Sequence, residues 1–130
     1  MRQSRLLEFE SSAFAVIPGE DEETNPGIFG EALANWLAEQ LRAAGLPARD
    51  VIAEDFGWCV RIESEPHPLY VACASGEEPD QWRVFAFAEG GVAARLFGRD
   101  RSAESLASLF AAVRRCLESA PTIRGLREGA

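Results

Sequence analysis

The chain has 130 residues, 47% of them apolar and 26% charged, which suits one soluble globular domain with its own core and excludes a disordered chain. The thirteen basic residues, all arginine, face twenty-one acidic ones, and the net charge of −8 repels phosphate backbones, so nucleic acid is not an expected partner. There is no apolar run of membrane-spanning or export-signal length, and the cysteines are odd in number and irregularly spaced. These features point to a cytoplasmic chain with reduced thiols.

In chain order, the apolar stretch Ser12–Ile17 stops at Pro18-Gly19 and reads as a short first strand. The run Glu20-Asp21-Glu22-Glu23 follows. Adjacent carboxylates lack the convergence that a metal cage needs, so the run reads as a solvated loop whose charge lies near the positive end of the next helix. Asn25-Pro26 resembles an N-cap followed by proline at the first helical position. Phe29, Leu33, Trp36, Leu37 and Leu41 then recur at helical spacing, and Gly45 and Pro47 supply the stop. This spacing predicts a helix over Pro26–Ala44. Gly27 and Gly30 weaken its first turns, so either the backbone packs closely there or the helix starts later.

Beyond the helix, Arg49–Glu54 and Gly57–Glu63 read as strands. The two prolines around His67 force a connection, and Leu69–Ser75 and Gln81–Ala88 return as further strands of an antiparallel meander. Burying Trp58, Val60 and Ile62 together with Leu69, Val71 and Cys73 pairs Ile62 with Leu69 and Trp58 with Cys73. It also turns Cys59 to the other face and excludes a Cys59–Cys73 disulfide. That other face would carry Tyr70, Ala72, Ala74, Phe85 and Phe87 beside Cys59, Arg61 and Arg83. It is too apolar for open solvent, so either another part of the chain, such as Gly91–Gly98 or a helix, covers it, or a partner does. The stripe Leu106, Leu109, Phe110, Val113 and Leu117 predicts a second helix over Ala103–Ser119, and the tail 121–130 reads as loosely held.

Candidate chemistry is sparse. His67 is the only histidine, and Cys59 or Cys73 could use it as a base only if the hairpin folded back on the sheet. Glu54 and Asp55 could do acid–base work if Trp58 or Phe56 desolvated one of them, but structural roles fit better: Asp55 capping the turn at Gly57, and Glu54 pairing with an arginine. Gly90-Gly91 is a turn and not a phosphate cradle, and neither a metal nor a cofactor is expected.

The strings GEDEETNPGIFGEALANWLAEQLRAAGL, EDFGWCVRI and PLYVACAS together resemble a group of uncharacterised bacterial proteins built around a TNPG helix start and an EDWGW strand start. The resemblance covers Pro18–Val84 and implies no established activity. Phe56 stands where that pattern has tryptophan, and LYVACAS departs from an LWVGCGN-like strand. The resulting expectation is an α+β fold with a mainly antiparallel sheet of four or five strands and two amphipathic helices, in the order β-α-β-β-β-β-α. Its function would be non-catalytic protein interaction, as an immunity-type inhibitor or a secretion adaptor, with a basic protein or a second copy as partner. The alternative is a ligand-binding domain or small enzyme at a carboxylate–aromatic corner. The candidate surface is Glu54, Asp55, Trp58, Cys59, Arg61, Tyr70, Arg83 and Phe85.

Overall fold

Alternation of apolar and polar residues along the middle of the chain dictates the sheet. The structure, a computed structural model, describes residues 2–65, 67–88 and 102–129, with the side chains of Arg2 and Ser102 left aside. Strands β1 (Arg2–Gln3) and β2 (Leu6–Glu10) come first, followed by α1 (Glu31–Ala43) and β3 (Ala48–Glu54). The chain continues through β4 (Gly57–Ile62), β5 (Leu69–Ser75), β6 (Gln81–Ala88), α2 (Ser102–Ser119) and β7 (Arg124–Gly129).

The fold is α+β with an open, wholly antiparallel sheet in the order β3-β4-β5-β6-β2-β7, with β1 also on β6. The register of β4 on β5 is the one that the alternation requires: Trp58 faces Cys73 and Ile62 faces Leu69. One face carries Leu7, Phe9, Val60, Val71, Val84 and their neighbours against both helices, and these residues form the main core. Helix α1 contributes Leu33, Leu37 and Leu41, all fully buried, each worth about 2 kcal/mol of apolar transfer.

Five expectations need correction. Ser12–Ile17 is not a strand. The first strands lie at Arg2–Gln3 and Leu6–Glu10, while Phe14 turns inward to pack on Trp36 and Trp82 with ring centroids 5.4 and 6.0 Å apart. The tail is not loose, because β7 pairs with β2 and makes the sheet larger than the expected four or five strands. Helix α1 starts at Glu31 and not at Pro26. Asn25 is not its cap; it opens a turn whose Ile28 N–H donates to the Asn25 carbonyl at 3.0 Å.

The late start has a steric cause. Gly30 has φ +150°, and a Cβ there would lie 2.5 Å from the Cys73 carbonyl oxygen; one on Gly57, φ +154°, would lie 2.6 Å from the same atom. Both glycines are needed for close backbone approach, which brings the TNPGIFG and DFGW segments together over β5. No helix among the described residues is long and apolar enough to cross a membrane. The stretch 91–98, one candidate cover for the second face, lies outside the described residues; both helices pack on the first face.

Candidate functional site

The sheet face away from the helices carries a second, smaller apolar cluster. Cys59, Ala72 and Phe87 are buried there, with Ile52, Tyr70 and Phe85 partly buried around them. These positions follow from the pairing, since Ile52, Cys59, Ala72 and Phe85 are successive partners across β3, β4, β5 and β6. Tyr70 stacks on Phe87 at 5.1 Å with the planes 16° apart, and Phe85 lies 5.8 Å from Phe87. Phe56, in the turn between β3 and β4, folds over this group, 5.7 Å from Phe87 and 6.1 Å from Phe85. Offset and edge contacts of this kind favour a fixed cluster over separately mobile rings. Phe56 is nevertheless 41% exposed.

Charged side chains border the rings at opposite ends of the strands. At one end Arg61 Nε donates to Asp50 Oδ1 at 3.1 Å, and this hydrogen bond holds the Asp50 carboxyl below its ordinary range. Beside it, Arg49 binds Glu63 Oε2 at 2.6 Å and lowers that carboxyl in the same way. At the other end Arg83 Nε lies 3.8 Å from Glu8, while Arg127 reaches Glu8 at 3.9 Å and Glu10 at 2.9 Å. All these arginines keep substantial exposure, so the pairs fix orientation more than they add stability.

The expected surface residues therefore divide. Cys59, Arg61, Tyr70, Arg83 and Phe85 share the second face. Glu54 and Asp55 sit exposed at its rim, in the β3–β4 corner beside Phe56. Trp58 does not belong to this surface. Its ring is 4% exposed in the main core, and its indole N–H has no hydrogen-bond partner among the described residues. Neither carboxylate shows the role expected of it: the Asp55 carbonyl, not its side chain, accepts a hydrogen bond at 3.0 Å, from Asn25 N–H, and among the described residues Glu54 makes no ion pair.

Comparison with known protein families, curated proteins and solved structures finds no match for this chain.

The thiols are poorly placed for chemistry. Cys59 and Cys73 are buried on opposite faces of the sheet, and burial, with the neighbouring Cys59, pushes the Cys73 thiol far above its ordinary value. A protonated, buried thiol is a weak nucleophile. His67, exposed in the β4–β5 connection, is at the opposite end of the strands from the Glu54–Asp55 corner.

Sequence reasoning missed the part played by Phe56. Its signal was local: a large aromatic side chain between two carboxylates and a glycine, in a tight turn where nothing requires an aromatic ring for folding. It also missed Glu20, the buried member of the acidic run. Its Oε1 accepts Ile17 N–H at 3.0 Å, and its Oε2 accepts Gly30 and Glu31 N–H, both at 3.1 Å. The run is not wholly a solvated loop, since Glu20–Glu22 forms a single 3-10 turn with Glu20 buried, but its expected placement near the positive end of α1 is correct, and one side chain carries it out.

Proposed function

We propose that this chain is a non-catalytic protein-interaction domain, in the class of an immunity-type inhibitor or a secretion adaptor, that masks a basic partner with the rim Glu54-Asp55-Phe56 and the aromatic face beneath it. The observation that carries this reading is Phe56: a ring 41% exposed, resting on Phe85 and Phe87 and flanked by two exposed carboxylates. A rigid, partly exposed aromatic ring gives a partner much contact area at small entropic cost, and aromatic anchors of this kind dominate binding energies. The net charge of −8 adds long-range attraction for a basic surface.

Tagged wild-type chain and Phe56→Asp, used to capture partners from a lysate of the native host, test this reading. The expected result is one stoichiometric basic protein on the wild type that is lost on Phe56→Asp, with both chains melting within a few degrees of each other. The reading fails if both retain the same proteins. It also fails if the wild type stays alone while small metabolites raise its melting temperature; that outcome supports a ligand site at the same corner.

A further inference from the structure

The loops at one end of the sheet differ in character from the rest of the molecule. The β3–β4 turn, the β5–β6 turn and the segment between β2 and α1 all leave the sheet at this end. They are tied together: Asn25 N–H donates to the Asp55 carbonyl at 3.0 Å and Ser75 N–H to the Phe29 carbonyl at 2.8 Å. The large hydrophobic side chains exposed among the described residues, Val16, Ile17 and Phe56, all lie on these loops, Val16 and Ile17 being 49% and 53% exposed. Around them stand Asp21, Glu22, Glu23, Glu54 and Asp55, along with Glu77, Glu78 and Asp80. On the adjoining strands Arg83 and Arg127 already face Glu8 and Glu10, and Arg124, the register partner of Glu10, also stands at this end, so the acidic residues here still outnumber the basic ones.

Within this end, a groove of about 280 Å³ runs between the 16–29 segment and the β5–β6 turn. Val16, Phe29, Pro79 and the buried Trp82 give it apolar walls, and Glu77, Glu78 and Asp80 form its rim. The volume is below the usual range for drug-sized ligands, roughly 300–1,000 Å³, and suits a single long side chain. The backbone of this turn is set before anything binds. Glu77 and Glu78 N–H both donate to Gln81 Oε1, at 3.1 and 3.2 Å, and Ser11 N–H donates to the carbonyl of Asp80, which is held at φ +62°.

We infer that this groove receives an arginine side chain of a basic protein partner, the aliphatic stem lying on Val16, Phe29 and Pro79 and the guanidinium meeting the carboxylates of Glu77, Glu78 and Asp80. The inference rests on the interaction reading above and names the chemistry of the partner. An apolar trough beside a turn that carries three exposed carboxylates matches the two parts of an arginine side chain, a methylene stem and a planar donor fork. The surplus of negative charge at this end favours a basic partner over an apolar one. Because the turn is already ordered, little conformational entropy is lost on binding.

The test uses the full chain labelled with ¹⁵N and two probes, acetyl-Leu-Arg-amide and its uncharged isostere acetyl-Leu-citrulline-amide. The arginine probe is expected to give saturable shifts concentrated at the amides of Val16, Gly27, Gly76 and Gln81 and at the Trp82 indole. Citrulline is expected to bind about fivefold more weakly, as exposed charge pairs allow. The triple variant Glu77→Gln, Glu78→Gln, Asp80→Asn should weaken the arginine probe by about the same factor, and Val16→Asn should weaken both probes. Shifts spread evenly over Glu22, Glu23 and Glu54, equal binding of the two probes, or indifference to the variants would each overturn the groove. If Phe56→Asp loses a captured partner while these titrations fail, the groove is wrong and the interaction reading stands. If the titrations succeed and no partner is captured, the groove binds arginine but its assignment to a protein partner falls together with that reading.

Discussion

At the scale of single residues, Glu20 shows how one side chain can decide where an element begins. Helix α1 starts on a glycine, which has no side chain to cap it, and the carboxylate of Glu20, 6% exposed, takes the N–H groups of Gly30 and Glu31 instead. A charged acceptor serving buried donors at a helix N-terminus is worth more than an ordinary cap. Glu20→Ala leaves three backbone donors without their acceptor and is expected to cost about 2–4 kcal/mol in urea unfolding. Glu22→Ala and Glu23→Ala, at exposed positions two and three residues on, should stay within about 0.5 kcal/mol of wild type. Cys73 offers a second measurement at this scale. Burial raises its folded pKa above the unfolded value, so its contribution to stability is complete below about pH 8.5 and declines above that point, where only the unfolded chain ionises. The expected loss is about 1.4 kcal/mol per pH unit for this thiol, and urea midpoints at pH 8, 9 and 10 should show a shallower slope in Cys73→Ala.

At the scale of elements, the parts legible in the sequence were those where one periodicity acts alone. Strands β5 and β6 and the pairing of Trp58 with Cys73 followed from strict alternation, because shifting by one residue would put Val60 and Val71 on the wrong face. The stripe through Leu106, Leu109, Val113 and Leu117 placed α2 in the same way. The segments that misled carry signals which depend on distant partners. The run Ser12–Ile17 is apolar, yet Phe14 is the side chain it buries, against Trp36 and Trp82 from other elements, and Val16 and Ile17 remain exposed. Strand β7, RGLREG, has two glycines and three charged residues around a single leucine, and becomes a strand because β2 offers it an open edge, with Arg127 binding Glu10 and Arg114 binding Glu128. For the candidate surface, alternation assigned the face of Cys59, Arg61, Tyr70, Arg83 and Phe85. It could not place Phe56, because a turn residue has no face until the turn is built.

At the scale of the whole molecule, the two end regions of the chain extend the sheet beyond β6, and they do so unequally. Strand β2 lies inside the sheet between β6 and β7, and its Leu7 and Phe9 are fully buried in the main core. Strand β7 lies at the edge, with only Leu126 and the preceding Ile123 packed partly against that core. Deleting residues 1–10 removes two large core side chains, at about 2–5 kcal/mol each, together with the pairing partner of β7. Against a total stability of roughly 5–15 kcal/mol, that chain is expected to lose its cooperative thermal transition. Deleting residues 124–130 opens only the outer edge of β2 and should leave a folded chain with a lower midpoint. A circular permutant separates loss of contacts from loss of connectivity. Leu6 is the register partner of Gly129, so a short glycine–serine link can join the ends while new ones open in the connection between β4 and β5. Circular dichroism and urea unfolding should find the permutant folded with an unchanged denaturant slope. A permutant as disordered as the 1–10 deletion would show that chain order is required, and that the contacts of β2 alone do not account for the fold.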